Sequence, residues 1–315
     1  MLRLIARRLV IAIPTLVLVS LFVFTLQKLL PGDPALAMAG EERDPQVIEA
    51  IRQKLHLGDP LIVQYFTWLG GVLTGDLGVS LRTGQPVLTL IASKLPVTLE
   101  LASFAIVIAM SIGVPAGILS AVRRGSAADI AGSAVGLFGV SIPNFWLGIL
   151  LILVFAVKLR WLPASGYTPL SEDPIENLST IFMPALVLAA SPAATLMRQT
   201  RAAMIGVLRA DYVRTARAKG LLPRAVILKH AFRNALVPII TLSTLLFGEM
   251  LGGAVLTEQV FTIPGFGKLL VDAVFNRDYA VVQGVVLCVA TGFILLNLLA
   301  DTLYFAVDPR VRASA

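Results

Sequence analysis

Six apolar runs, each near the roughly 20 residues that a helix needs to cross a bilayer, limit what this chain can fold into. They lie at about 9–30, 97–121, 130–157, 181–203, 236–257 and 281–305. Lipid offers no partner to a backbone N–H or C=O, so such a run is satisfied by a helix that closes its own hydrogen bonds. At 57% hydrophobic and 14% charged, with a mean hydropathy of +0.85, the 315 residues are too apolar for a soluble domain. The pattern predicts an all-α polytopic membrane protein with about six transmembrane helices. The first run follows a basic start, MLRLIARRLV, as a signal peptide's would. It is long enough to span and no small-residue cleavage pattern follows, so it is expected to persist as the first span. Pro14, Pro115, Pro143, Pro184, Pro192 and Pro238 lie within or at the ends of these runs and read as local kinks.

The segments between the runs set the orientation. From Arg198 to Arg233 the chain carries nine Lys or Arg against one acid, Asp211. A short basic loop between spans marks a cytoplasmic face. Sixteen of the 26 Lys and Arg fall on that side if both termini are cytoplasmic, counting Arg3, Arg7, Arg8, Arg123, Arg124, the long basic loop, Arg310 and Arg312. The opposite segments hold Asp33, Glu41, Glu42, Asp44, Glu49, Asp59 and Asp76. The net charge of +7 is therefore a topology signal, and nucleic acid is rejected as a partner. At the centre of the loop, TARAKG puts Ala216 and Gly220 one helical turn apart, a flat patch that a partner surface can approach. The chain divides into residues 1–95, a first span plus a large extracytoplasmic segment, and residues 96–315, the core. Within the first part an amphipathic helix is expected near Pro45–Leu55. Leu61–Leu73, with Tyr65, Phe66 and Trp68, is too short to span and reads as interfacial or re-entrant. FTIPGFG, near the end of the fifth run, is a turn-rich element.

No residue pattern supplies a reaction. GxxxxGK[ST], HExxH, CxxC and GxSxG are all missing, and Ser141 and Ser165 have no evident base. His56 and His230 fall on opposite sides, so a shared metal site is not expected, and Cys288 has no partner for a disulfide. The chain is read as a non-enzyme with no cofactor or metal of its own. Work on a solute would draw its energy from elsewhere.

Eight segments in order, LLPGDP (29–34), GDLGVSL (75–81), LPVTLELA (95–102), IPNFWLGILL (142–151), DYVRTARAKGL (211–221), HAFRNALVP (230–238), LTEQVFTIPGFG (256–267) and DPRVR (308–312), resemble the landmarks of a known family. The chain is similar, over nearly its whole length, to the permease subunits of bacterial ABC importers for dipeptides, oligopeptides and nickel, most of all to the B-type dipeptide permeases. The resemblance implies a type I-like permease core in the bacterial inner membrane. It also implies a heterodimer with a second homologous permease, two cytoplasmic ATPases that hold ATP and Mg, and an extracytoplasmic binding protein. Arg214, Thr215 and Ala216 stand where that family's sugar-type relatives carry Glu-Ala-Ala, and Gly220 stands at the motif glycine. The segment Arg214, Thr215, Ala216, Arg217, Ala218, Lys219, Gly220 and Leu221, within a coupling loop 198–233, is thereby expected to dock on an ATPase. Leu221, Leu222 and Pro223 are expected to end its helix as an apolar knob. His230–Arg233 replace the Ile-x-Leu-Pro of sugar permeases and favour peptide as cargo. Nickel is the nearest alternative within the family. An ion-coupled secondary transporter, with Glu249 as its ion site, and a membrane scaffold are the rivals outside it.

Polar groups within the runs are few. Glu249 in LLFGEMLGGAV is a carboxylate near mid-span, costly there and a candidate for function. Either it lines the translocation path, where it could balance a peptide's α-amino cation, or it pairs with a partner-subunit cation or is a protonated hydrogen-bonding acid. Asn144 either lines the path or hydrogen-bonds between helices. Asn297 and Asp301, one turn apart, read as capping or inter-helix groups. Gly248, Gly252 and Gly253 form a small-residue face suited to close packing, against a paired permease among other partners.

Overall fold

The computed structural model describes residues 2–29, 35, 44–54 and 57–307. Eleven helices account for most of them: α1 (Leu2–Leu29), α2 (Pro45–Lys54), α3 (Leu61–Leu73), α4 (Val87–Val122), α5 (Ala127–Ser141), α6 (Asn144–Lys158), α7 (Pro174–Leu208), α8 (Asp211–Ala218), α9 (Pro223–Val260), α10 (Phe266–Phe275) and α11 (Tyr279–Val307). Among the described residues the β structure is a single bridge, Val79 to Pro86. Four helices are long and apolar enough to cross a membrane: α4, α7, α9 and α11 within Tyr279–Ala300. Val10–Thr25 of α1 and Asn144–Lys158 are shorter apolar helical stretches. LLPGDP beyond Leu29, His56 and DPRVR lie outside the described residues, as do Arg310 and Arg312.

The expected third span, 130–157, is two helices. Ile142 and Pro143 have extended backbones between α5 and α6, because a proline disfavours helical geometry in the residue before it. Asn144 is thus the first residue of α6 rather than a residue inside a span. The last seven residues of α6, Ile152–Lys158, are π-helical, as are Val226–Phe232 near the start of α9. The basic stretch 198–233 is also mostly helix. Residues up to Leu208 complete α7 and those from Pro223 begin α9, leaving α8 and its short flanks as the connection.

The chain separates into two compact units. One comprises residues 97–267 and 295 onward, the other residues 2–96 and 268–294. In the first, α7 is the most enclosed of the long helices, two-thirds buried across its apolar window. Glycine explains the enclosure. A Cβ at Gly113 of α4 would strike the Ala193 carbonyl, and one at Gly117 the Met197 carbonyl and Thr200. On the other side Gly132 abuts Met197, and Gly139 abuts Ala190 and Ala194. Small residues four apart let two backbones approach, which is how helices gain dispersion contacts where apolar burial offers no advantage over lipid.

In the second unit, α3 packs on α1. The Ser20 hydroxyl and Tyr65 Oη are 2.8 Å apart, and the Phe24 and Tyr65 rings meet edge-on at 5.4 Å. Leu61, Ile62, Val63, Phe66 and Leu73 remain exposed. The GDLGVSL segment turns at Gly75 and Gly78, both at positive φ, and is tied down by Asp278. That buried carboxylate accepts from the Ser80 hydroxyl and from the Leu81 N–H at 3.2 Å.

The glycine seam predicts an asymmetry between two conservative changes. Gly117→Ala forces a methyl against backbone and should cost about 1–3 kcal/mol. Gly206→Ala, where nothing lies within 4 Å, should be neutral or slightly stabilising. Thermal unfolding of the two purified variants checks this; equal melting temperatures would rule out the seam as the source of α7's packing.

Candidate functional site

The sequence from Asp211 to Leu222 builds a short amphipathic helix with a defined stop. In α8, Val213 and Ala216, three residues apart, are buried and join the core of the first unit together with Met204 and Val226. Arg214, Thr215, Arg217, Ala218, Lys219, Gly220 and Leu221 are exposed. Ala216 therefore does not share an open patch with Gly220: it anchors the helix from behind at 5% exposure. Gly220 lies beyond the helix at φ +74. Its N–H reaches the Arg217 carbonyl at 2.9 Å and the Leu221 N–H reaches the Ala216 carbonyl at 3.4 Å. This pair of bonds is a Schellman stop, which calls for a left-handed residue at that point. Pro223 then opens α9 at its first position, where a missing N–H costs nothing. Only Leu221 and Leu222 separate the stop from the proline, and both side chains are exposed. The Arg214–Asp211 ion pair, 3.1 Å, is solvent-exposed and contributes little.

An ion pair that the sequence pattern did not flag joins α5 to α7. Asp129, in the first turn of α5, accepts from Arg201 of α7 through two bonds, Nε–Oδ1 at 2.7 Å and Nη2–Oδ2 at 2.9 Å. The Ser120 hydroxyl and the Gly125 N–H complete its shell. Arg201 was counted with the loop, yet it is a helix residue committed to an internal partner. Its neighbours Gly125 and Ser126, a positive-φ glycine and a helix cap, were the available signals that Asp129 closes a tight turn.

A second set of polar anchors occupies the opposite end of the same unit. Glu258, fully buried near the end of α9, accepts from Thr98 of α4 at 2.5 Å, and Thr98 Oγ1 in turn accepts from the Phe266 N–H at 2.8 Å. A Cβ at Gly265 would overlap the Glu258 carboxylate, so the IPGFG turn needs glycine to close over the acid. Glu100, two residues beyond Thr98 on α4, accepts from Tyr167 Oη at 2.7 Å and from Asn177 Nδ2 at 2.6 Å. Burial, reinforced by Glu100, pushes the Tyr167 phenol above its ordinary range, so it remains a donor. From Thr98 to Ser120 along α4 is about 33 Å at 1.5 Å per residue, close to the thickness of a hydrocarbon core. The two anchor sets thus stand at the two ends of the membrane-crossing part of this unit.

Glu249 and Asn144 join neither set. Asn144 is half-buried at the start of α6. Glu249 is exposed on α9 and makes no hydrogen bond or ion pair among the described residues. Gly252 and Gly253 are exposed beside it with nothing within 4 Å, whereas Gly248 is buried. The described part of the chain contains no group of three His, Cys, Asp or Glu side chains that could hold a metal.

Comparison with known proteins places this architecture. Residues 113–313 match the family described as binding-protein-dependent transport system inner membrane component, and residues 1–102 match the N-terminal module of such membrane components. A Brucella abortus protein named as a peptide transport system permease is 43% identical over 98% of both chains. The di/tripeptide transport system permease DppB of Pseudomonas aeruginosa and a glutathione transport system permease of Escherichia coli are each 44% identical over 99% of both chains. The fold is also that of a chain in an inward-facing structure of the MetNI methionine ABC transporter, with a TM-score of 0.56 and 20% identity, covering 70% of this chain and 96% of that one.

Two outcomes follow from this geometry. Arg201→Met leaves the Asp129 carboxylate without its cation and should destabilise the fold measurably. Asp129→Asn should cost less, because the Arg201 side chain is 31% exposed and can turn to water. Chemical or thermal unfolding of both variants measures the difference. At Gly220, a β-branched Val opposes the left-handed backbone by about 1–2 kcal/mol, whereas Asn tolerates it. Gly220→Val should therefore impair coupled transport and Gly220→Asn should keep it. Equal loss in both would mean that the glycine is needed for close approach of a partner instead.

Proposed function

This chain belongs to the family of binding-protein-dependent transport system inner membrane components, and on that premise we propose that it forms half of the pore of an ATP-driven importer of dipeptides or short oligopeptides. The observation that carries the cargo is likeness along essentially the full length to transport permeases named for peptides, di- and tripeptides and glutathione. The second half of the pore is a homologous permease, giving a heterodimer. Two cytoplasmic ATPases bind ATP and Mg, an extracytoplasmic binding protein delivers the peptide, and both termini are cytoplasmic.

The exposed face of α8 is the proposed handle for an ATPase. Arg214, Arg217 and Lys219 offer charge to an acidic groove, Leu221 and Leu222 offer an apolar contact, and Thr215, Ala218 and Gly220 leave room between them. Val213 and Ala216 make the handle rigid with the bundle behind it. The two-residue link into Pro223 passes any displacement directly to α9, whose far end carries Glu258 in the second anchor set. ATP-driven closure of the motor would thus bias a two-state bundle at both of its ends. Asn144 and Glu249 are the polar groups proposed for the path itself.

Reconstitution with the partner permease, the ATPases and the binding protein tests this reading. Labelled peptide uptake should require ATP, stop with vanadate and survive collapse of the ion gradients. Uptake that persists without the ATPases, or that fails with uncouplers at constant ATP, would refute it.

A further inference from the structure

The exposed face of α9 has a composition that lipid does not tolerate. Asn234, Leu245, Glu249, Gly252, Gly253 and Leu256 recur at helical spacing along the side turned away from the core residues Ile239, Ser243, Met250 and Ala254, with Thr241 half-buried among them. The exposed face of α4 differs in kind, with Val107, Ile112 and Leu119 interspersed with Ser103 and Ser111 and no charge. Glu249 lies nine residues before Glu258, about 14 Å along the axis from the far anchor set. That depth is near the middle of a hydrocarbon core about 30 Å thick. An ionised carboxylate at that depth against acyl chains is among the most unfavourable placements available to a side chain. Among the described residues Glu249 makes no ion pair: Arg201 of α7 is held by Asp129, and the basic residues of α9, Arg224, Lys229 and Arg233, precede the apolar run. Gly252 and Gly253, one turn further along, have no atom within 4 Å of where a Cβ would stand, so the helix backbone is open beside Glu249.

We propose that Glu249 is a specificity-determining residue that faces water in the path and takes the protonated α-amino end of the passing peptide. The inference rests on the reading of the chain as half of a peptide pore and adds a chemical requirement to it. A free N-terminal ammonium is a small cation with three donors, and the carboxylate neutralises it where hydration is scarce. A peptide whose terminus is acylated has no such charge and gains nothing from the acid. The contact is single and transient, as a path that must release its cargo requires.

The test uses the assembled importer in proteoliposomes, with dialanine and N-acetyl-dialanine as probes. Each variant's rate is divided by the wild-type rate on the same probe, so that selection by the delivery protein cancels. Glu249→Gln should lower dialanine uptake about tenfold and leave the acetylated probe within twofold, while Glu249→Asp should retain most of the dialanine rate. In parallel, Glu249→Cys in a Cys288→Ala background should react with a water-soluble cationic thiol reagent, and excess dialanine should slow the reaction. An equal fall for both probes, an unreactive cysteine, or loss of the partner permease on purification of Glu249→Gln would overturn the proposal in favour of an ion pair between the two subunits. A wild-type importer that moves neither probe would remove the peptide-pore reading beneath it.

Discussion

Close approach of α4 and α5 to α7 through glycine is the constraint on which the first unit depends. In water, such helices would be driven together by apolar burial. Between lipid-facing helices that drive is absent, and packing must come from dispersion at short range and from polar contacts. Gly113 and Gly117 remove the side chains that would hold α4 away from the Ala193 and Met197 carbonyls. Gly132 and Gly139 do the same for α5. With the backbones this close, α7 becomes the buried spine, and the helices around it take their places from it.

Buried or half-buried carboxylates then fix the ends of that packing. Asp129 with Arg201 at one end, and Glu258 with Thr98 and Glu100 with Tyr167 and Asn177 at the other, each join segments far apart in sequence. Such pairs add little net stability compared with apolar replacements, but breaking one is costly, and this asymmetry favours a single arrangement. The anchors sit about a bilayer core apart, where water can relieve part of their desolvation. Glu249 is the contrasting case, an exposed carboxylate on α9 with no partner among the described residues.

The same logic connects α8 to the rest of the molecule. Its inner residues are small and apolar, so the helix seats firmly on the core. Its outer residues, Asp211, Tyr212, Arg214, Thr215, Arg217 and Ala218, are all exposed. A Schellman stop followed two residues later by a proline start leaves a short connection between α8 and α9. Asp129–Arg201 stiffens the neighbouring turn between α4 and α5 at the same end.

Apolar run length made the helical, membrane-embedded class legible from composition alone, and ordered motifs such as LTEQVFTIPGFG made the family legible. Gly220 stood out in sequence for its size, but its left-handed backbone gives it a different use. Ala216 looked like part of an exterior patch, although helical periodicity with Val213 placed it inward. The Gly113–Gly117 pair and the Ser126 cap were readable local signals that went unused. Pairing across 72 residues for Asp129 with Arg201, or 160 for Thr98 with Glu258, has no local signature. Sequence by itself determined that the apolar segments must be helical and which stretches carry charge, because these follow from local hydrogen bonding and hydration. Tertiary structure alone decided which carboxylates are locked, which face of α9 is left open and which side of α8 is available, because each depends on what a distant helix places alongside.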